Sequence, residues 1–219
     1  MEDIKKLKER KALCIFMLVC SLLPLIQLPF LILQRNLILP HGASLVISSI
    51  INTIIVVFAI IMTVKCRGAL SIIGGILMVL VSTADLILNF IRDITFLTVA
   101  NEADYSKFAN FFGIIDIIGV LYAPIVVLAC ILLVIGAKTS ILFKTTIIAK
   151  QSIFFIVYIF TAFVLSYVSS ILLESGINNF QIRFVETIRY IVYPIIHIAT
   201  IAVCIIEFNK TNKLAKSCC

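Results

Sequence analysis

The sequence predicts an all-α, polytopic membrane protein, a bundle of six transmembrane helices with the N- and C-termini both cytoplasmic. Three observations carry that expectation. The 219 residues are 62% hydrophobic and only 13% charged, with a mean hydropathy of +1.20, whereas soluble domains run about 45–50% apolar and about 25% charged. Several runs reach the roughly 20 apolar residues needed to cross about 30 Å of hydrocarbon. The positive charge alternates from one connecting segment to the next.

Residues 1–11 form a basic cytoplasmic N-terminus containing "KKLKERK". The first span, 12–33, is charge-free. It exceeds the usual ~7–15-residue core of a signal peptide and lacks a following A-x-A-like site, so it reads as a retained helix. The second span, 43–64, is charge-free too. The third, 68–91, is interrupted by Asp85, and the fourth, 110–137, by Asp116. The fifth covers 151–173 and the sixth 190–207, and a basic cytoplasmic tail occupies 208–219.

Lys138–Lys150 fails as a span because lysines recur at 138, 144 and 150; it suits a short helix at the inner interface. Residues 177–189, with Ile177, Phe180, Phe184 and Ile188 on one stripe, suit a similar helix at the outer one. No linker or low-complexity segment divides the chain, which reads as one domain.

Orientation follows from the loops. Thirteen of the eighteen Lys and Arg fall in the N-terminus, 65–68, 138–150 and the tail, against five in the alternate segments. The positive-inside rule then places both ends in the cytoplasm. The formal charge of +7 is accounted for in this way and does not indicate nucleic-acid binding; the expected partners are the lipid bilayer and other membrane-protein subunits. Cys14, Cys20, Cys66, Cys130, Cys204, Cys218 and Cys219 all fall at or near the predicted inner side, so no disulfide is expected.

The candidate site is a polar layer. Counting ~1.5 Å per residue from the span ends, Gln27, Asn52, Asp85, Asp116, Tyr167 and His197 fall at similar depth in the outer third of the membrane, one from each helix. Asn89 lies one turn beyond Asp85. An ionised carboxylate at the bilayer centre costs roughly 2.5–3.5 kcal/mol by insertion scales, so its face matters. Gly75, Met78, Ser82, Asp85, Asn89 and Arg92 form one 3–4-spaced stripe, and Tyr190, Tyr193, His197, Thr200 and Cys204 form another. The aspartates therefore have three readings: headgroup-level charges, a buried structural network, or a wet vestibule for a ligand, ion or proton.

Catalytic and cofactor chemistry is not indicated. The contexts "TAD" and "GIID" lack the Tyr-Asp and Gly-x-Gly-Asp patterns of intramembrane aspartyl proteases, and the Asp-Gly and Ala-Arg elements of CDP-alcohol phosphotransferases are absent. There is no H-E-x-x-H, with only His41 and His197 present, and no G-x-S-x-G. No metal or cofactor is expected. The terminal Cys218-Cys219 pair resembles the doubly prenylated end of Rab GTPases and is a candidate lipidation site, although Lys216 stands where a C-a-a-X motif has its cysteine. The leading expectation is a non-catalytic accessory or scaffold subunit of a membrane complex. The alternative is an outward-opening small-solute or ion carrier, or ligand-binding subunit, using the polar layer.

Overall fold

The computed structural model describes residues 2–35, 41–98, 118, 121–159 and 188–217. In chain order the helices are α1 (Glu2–Arg35), α2 (His41–Lys65), α3 (Ala69–Thr98), α4 (Leu121–Gly136), α5 (Ile141–Ile159) and α6 (Tyr193–Ser217), the last preceded by a π-helical turn at Ile188–Val192. Stretches at Ile4–Phe30, Val46–Lys65, Ala69–Ile91 and Tyr190–Ser217 are long and apolar enough to cross a membrane, and α4 is a shorter apolar helix. This all-helical architecture is consistent with a multi-pass membrane protein.

Local sequence explains the irregular points. Pro24 and Pro29 lie inside α1, where neither can donate to the carbonyl four residues earlier, leaving those of Cys20 and Leu25 without their helical donors. Pro194 sits in the first turn of α6. The bond it cannot make to residue 190 falls at the widened turn just before it, where π geometry absorbs the mismatch.

Helix faces follow the residue pattern. Along α3, Gly75 and Met78 are buried and Ser82, Asp85 and Asn89 half-buried, while Ile72, Ile73, Ile76, Leu80, Ile87 and Phe90 are exposed on the other side. On α6 the buried residues are His197, Thr200, Cys204, Glu207 and Thr211, extending the expected stripe by two turns. So much exposed isoleucine and leucine on single helix faces suits hydrocarbon and not water.

α1 packs against α2 and α6, α2 against α3, and α5 against α6. The buried core joins Leu13, Phe16 and Met17 of α1 to Met62, Met78, Leu133, Val134, Phe143, Ile147 and Cys204. α4 enters through contact with α3. A Cβ on Gly74 would lie 2.9 Å from the Ala129 carbonyl oxygen, and one on Gly136 would lie 2.6 Å from the Ser71 backbone nitrogen.

The 66–68 and 137–140 turns mark one end of the packed helices, the proximal end. Arg10 Nε donates to the Ala137 carbonyl at 2.9 Å, and Glu207 Oε1 accepts from the Ser140 backbone N–H at 3.0 Å. Ser140 Oγ accepts from Phe143 N at 3.3 Å and caps α5. Lys138 takes a left-handed conformation with φ of 50°, which reverses the chain between α4 and α5. These bonds tie the start of α1 and the far part of α6 to one turn.

Two expectations differ from the structure. The helix of α1 begins at Glu2 rather than near residue 12, so the basic N-terminus is helical. Residues 141–150 do not form a separate interfacial helix but run continuously into α5. The capping by Ser140 and the burial of Phe143 and Ile147 start the helix ten residues before the charge-free run.

Two measurements follow. Gly136→Ala should lower stability by about 1–3 kcal/mol, because the methyl meets backbone rather than a movable side chain. The check is the unfolding midpoint of the detergent-solubilised protein; no change would mean that α3 and α4 separate freely. Burial pushes the Cys66 thiol up to about 11, and the nearby Glu9 charge raises it further against a lowering hydrogen bond to Ser71. Only the thiolate alkylates, so labelling of Cys66 should climb about ninefold between about pH 9 and pH 10, where an exposed thiol with pKa about 8.5 gains less than about a third. Levelling at the ordinary range would mean that Cys66 is solvated.

Candidate ligand cavity and the buried polar layer

Asp85 lies sixteen residues into α3, roughly 24 Å from the proximal end. Tyr122 of α4 donates its hydroxyl to Asp85 Oδ1 at 2.7 Å, and Asn89 Nδ2 donates to the Asp85 backbone carbonyl at 2.8 Å. Asn89 thus bonds its own helix backbone four residues back, and the carboxylate is left to Tyr122. Among the described residues no basic side chain pairs with Asp85. The phenol steers the carboxylate without neutralising it.

Asp85 forms part of the wall of a cavity of about 260 Å³ between α1, α2, α3, α4 and α5. Its polar lining is Asn52, Ser82, Asp85, Tyr122 and Gln151; Phe16, Met17, Met78, Cys20 and Cys130 are among the apolar and thiol walls. Two members of the expected layer, Asn52 and Asp85, therefore meet on one space.

Gln27 and His197 meet elsewhere. Gln27 Nε2 donates to Ser48 Oγ at 2.6 Å, joining α1 to α2. Both Gln27 and His197 line a second, smaller pocket of about 180 Å³ beside Pro24 and Pro194. His197 is only 5% exposed. Its ring lies 5.3 Å from Phe154, which in turn lies 4.5 Å from Tyr193. His197 Nδ1 has no hydrogen-bond partner among the described residues. The described members Gln27, Asn52, Asp85 and His197 thus fall into two separate clusters. Asp116, Tyr167, Cys218 and Cys219 lie outside the described residues, as do residues 177–187.

The largest omission from the sequence reading is Lys150. Counted there as a loop charge, it is 4% exposed. Nine residues into α5, it stands roughly 14 Å from that helix's start. Lys150 Nζ donates to Ser21 Oγ at 2.9 Å and lies 5.6 Å over the Phe154 ring. Ser21 Oγ in turn donates to the Met17 carbonyl at 2.9 Å. No described carboxylate forms an ion pair with Lys150. A signal existed: Phe143, Ile147, Lys150 and Phe154 follow 4-3-4 spacing, one helical stripe. It was hidden because Lys138, Lys144 and Lys150 look like a regular loop charge pattern. Glu9, in the segment read as a basic cytoplasmic end, and Glu207, at the last position of the expected sixth span, are buried as well.

No group of three or more His, Cys, Asp or Glu suited to holding a metal ion occurs among the described residues, and Cys14, Cys20, Cys66, Cys130 and Cys204 are free thiols. No known protein family, curated protein or solved structure matches the chain.

The Lys150 arrangement predicts non-additive mutational effects. Ser21→Ala removes the one side-chain acceptor that the described residues offer the buried Lys150 Nζ and should cost about 1–3 kcal/mol. In a Lys150→Met background, where nothing needs that acceptor, the same change should cost far less. Unfolding midpoints of the four proteins in one detergent complete the cycle; equal losses in both backgrounds would mean that Ser21 and Lys150 are not coupled.

Proposed function

We propose that the chain is a six-span membrane protein, both termini cytoplasmic, that binds a small solute without chemically altering it and carries it through a cavity open on the outer side. The observation carrying this reading is the cavity beneath Asp85. A carboxylate there, steered by Tyr122 and without a described basic partner, is costly in a bilayer unless water or a ligand reaches it. Residues 9–10, 66–71, 136–140 and 207 gather at one end. That gathering supports placing the N-terminus, the two basic turns and the end of α6 on one membrane face.

The scaffold reading is favoured by the other half of the layer. Gln27 is satisfied by Ser48 across α1 and α2, a contact that sets helix register and needs no ligand. The two readings divide on whether water reaches Asp85 and Asn52.

An impermeant thiol reagent added outside intact cells tests this. Asp85→Cys and Asn52→Cys should label above the parent protein, which retains its native thiols. Lys213→Cys, exposed on α6, should label only after permeabilisation. Native Cys66 is unsuitable as the inner marker, since burial alone keeps it poorly reactive at neutral pH. Labelling at neither cavity position would return the protein to the scaffold class, and outside labelling of Lys213→Cys would reverse the orientation.

A further inference from the structure

Resting on the solute-binding reading, we propose that the solute is a compact organic monoamine, its ammonium on Asp85 and its apolar body among Phe16, Met17 and Met78. Three features of the cavity carry this.

The first is charge. Asp85 Oδ1 receives one neutral hydroxyl, and a carboxylate has about four acceptor sites. An ammonium supplies three donors and a compensating charge, forming the charge-assisted bonds that Tyr122 cannot. An anion would meet repulsion instead.

The second is the count of charges. Asp85 is the one ionisable carboxylate in the described lining; Asn52, Ser82 and Gln151 are neutral. A hard divalent metal takes six or more oxygen ligands, usually from several carboxylates or waters, and these walls of thioether, thiol and hydrocarbon do not provide them. Behind the wall, Lys150 neighbours Gln151 in sequence and binds Ser21, the neighbour of the lining residue Cys20. A second positive charge on the ligand has no further carboxylate to meet in the described lining.

The third is size. An apolar cavity of about 150 Å³ takes benzene, so about 260 Å³ holds a six-carbon ring with an amino group. Phe16 and Tyr122 offer aromatic surface to a cation within the same space.

The experiment uses the purified full chain in detergent and three probes of one shape and different charge: cyclohexylamine, cyclohexanol and cyclohexanecarboxylate. A ligand that binds the folded state raises the unfolding midpoint in proportion to its occupancy. The amine should raise it saturably, and the other two should not. Asp85→Asn should need at least about tenfold more amine for the same shift, corresponding to loss of one charge-assisted contact, while Asp85→Glu should keep the preference for amine. Melting of each variant without ligand separates loss of folding from loss of binding. Equal stabilisation by cyclohexanol, or an amine effect untouched by Asp85→Asn, would overturn the amine assignment and leave the solute-binding reading intact. Failure of all three probes would overturn the amine assignment as well. The solute-binding reading itself falls only if Asp85→Cys and Asn52→Cys are sealed from outside.

Discussion

The close approach of α3 and α4 is the constraint on which the rest of the structure depends. Gly74 lies against Ala129 and Gly136 against Ser71, with no room for a side-chain carbon at either glycine. Contact this close holds the 137–140 turn where Arg10 and Glu207 reach it. Between apolar helices in lipid the hydrophobic effect gives little drive to associate, so van der Waals contact of small residues and interhelical hydrogen bonds must do so. Both occur here at one end, and they place α1, α3, α4, α5 and α6 relative to one another.

That arrangement explains why a cavity exists higher up. α3 and α4 touch at the proximal end through glycine and again at Asp85–Tyr122. Tyr122 and Gly136 are fourteen residues apart, roughly 21 Å along α4. Between these two points Met78, Val81 and Val126 face the same space as Phe16 and Ile55, and the side chains do not fill it. The aspartate is thus both a tie between helices and the chemical group of the cavity. These roles conflict in energy, since the hydroxyl of Tyr122 orients the carboxylate but does not supply a countercharge.

Lys150 shows the opposite solution to the same problem. It is buried against Ser21 and Phe154, on the same helical stripe as the buried Phe143 and Ile147. Among the described residues its Nζ is met by one hydroxyl and one aromatic face. Asp85 bonds Tyr122 and Lys150 bonds Ser21, so among the described residues these two do not pair with each other.

The sequence by itself determined the class, the long apolar helices and which faces turn inward. Composition and run length depend only on the chain, and the 3–4 stripes of α3 and α6 carry over because a helix places residues on a face by spacing alone. It also singled out Asp85, Asn52, Gln27 and His197 as polar groups at similar depth, leaving open whether the aspartate is interfacial, buried or in a wet vestibule. It did not determine which of them share a space. Depth along a helix is read from one segment, but meeting across helices depends on their rotation and on contacts between residues such as Gly136 and Ser71, sixty-five positions apart. For the same reason only the tertiary structure decided that Lys150 is inside: its charge looked like a loop charge until packing of α5 against α6 and the Ser21 hydroxyl on α1 gave it a place.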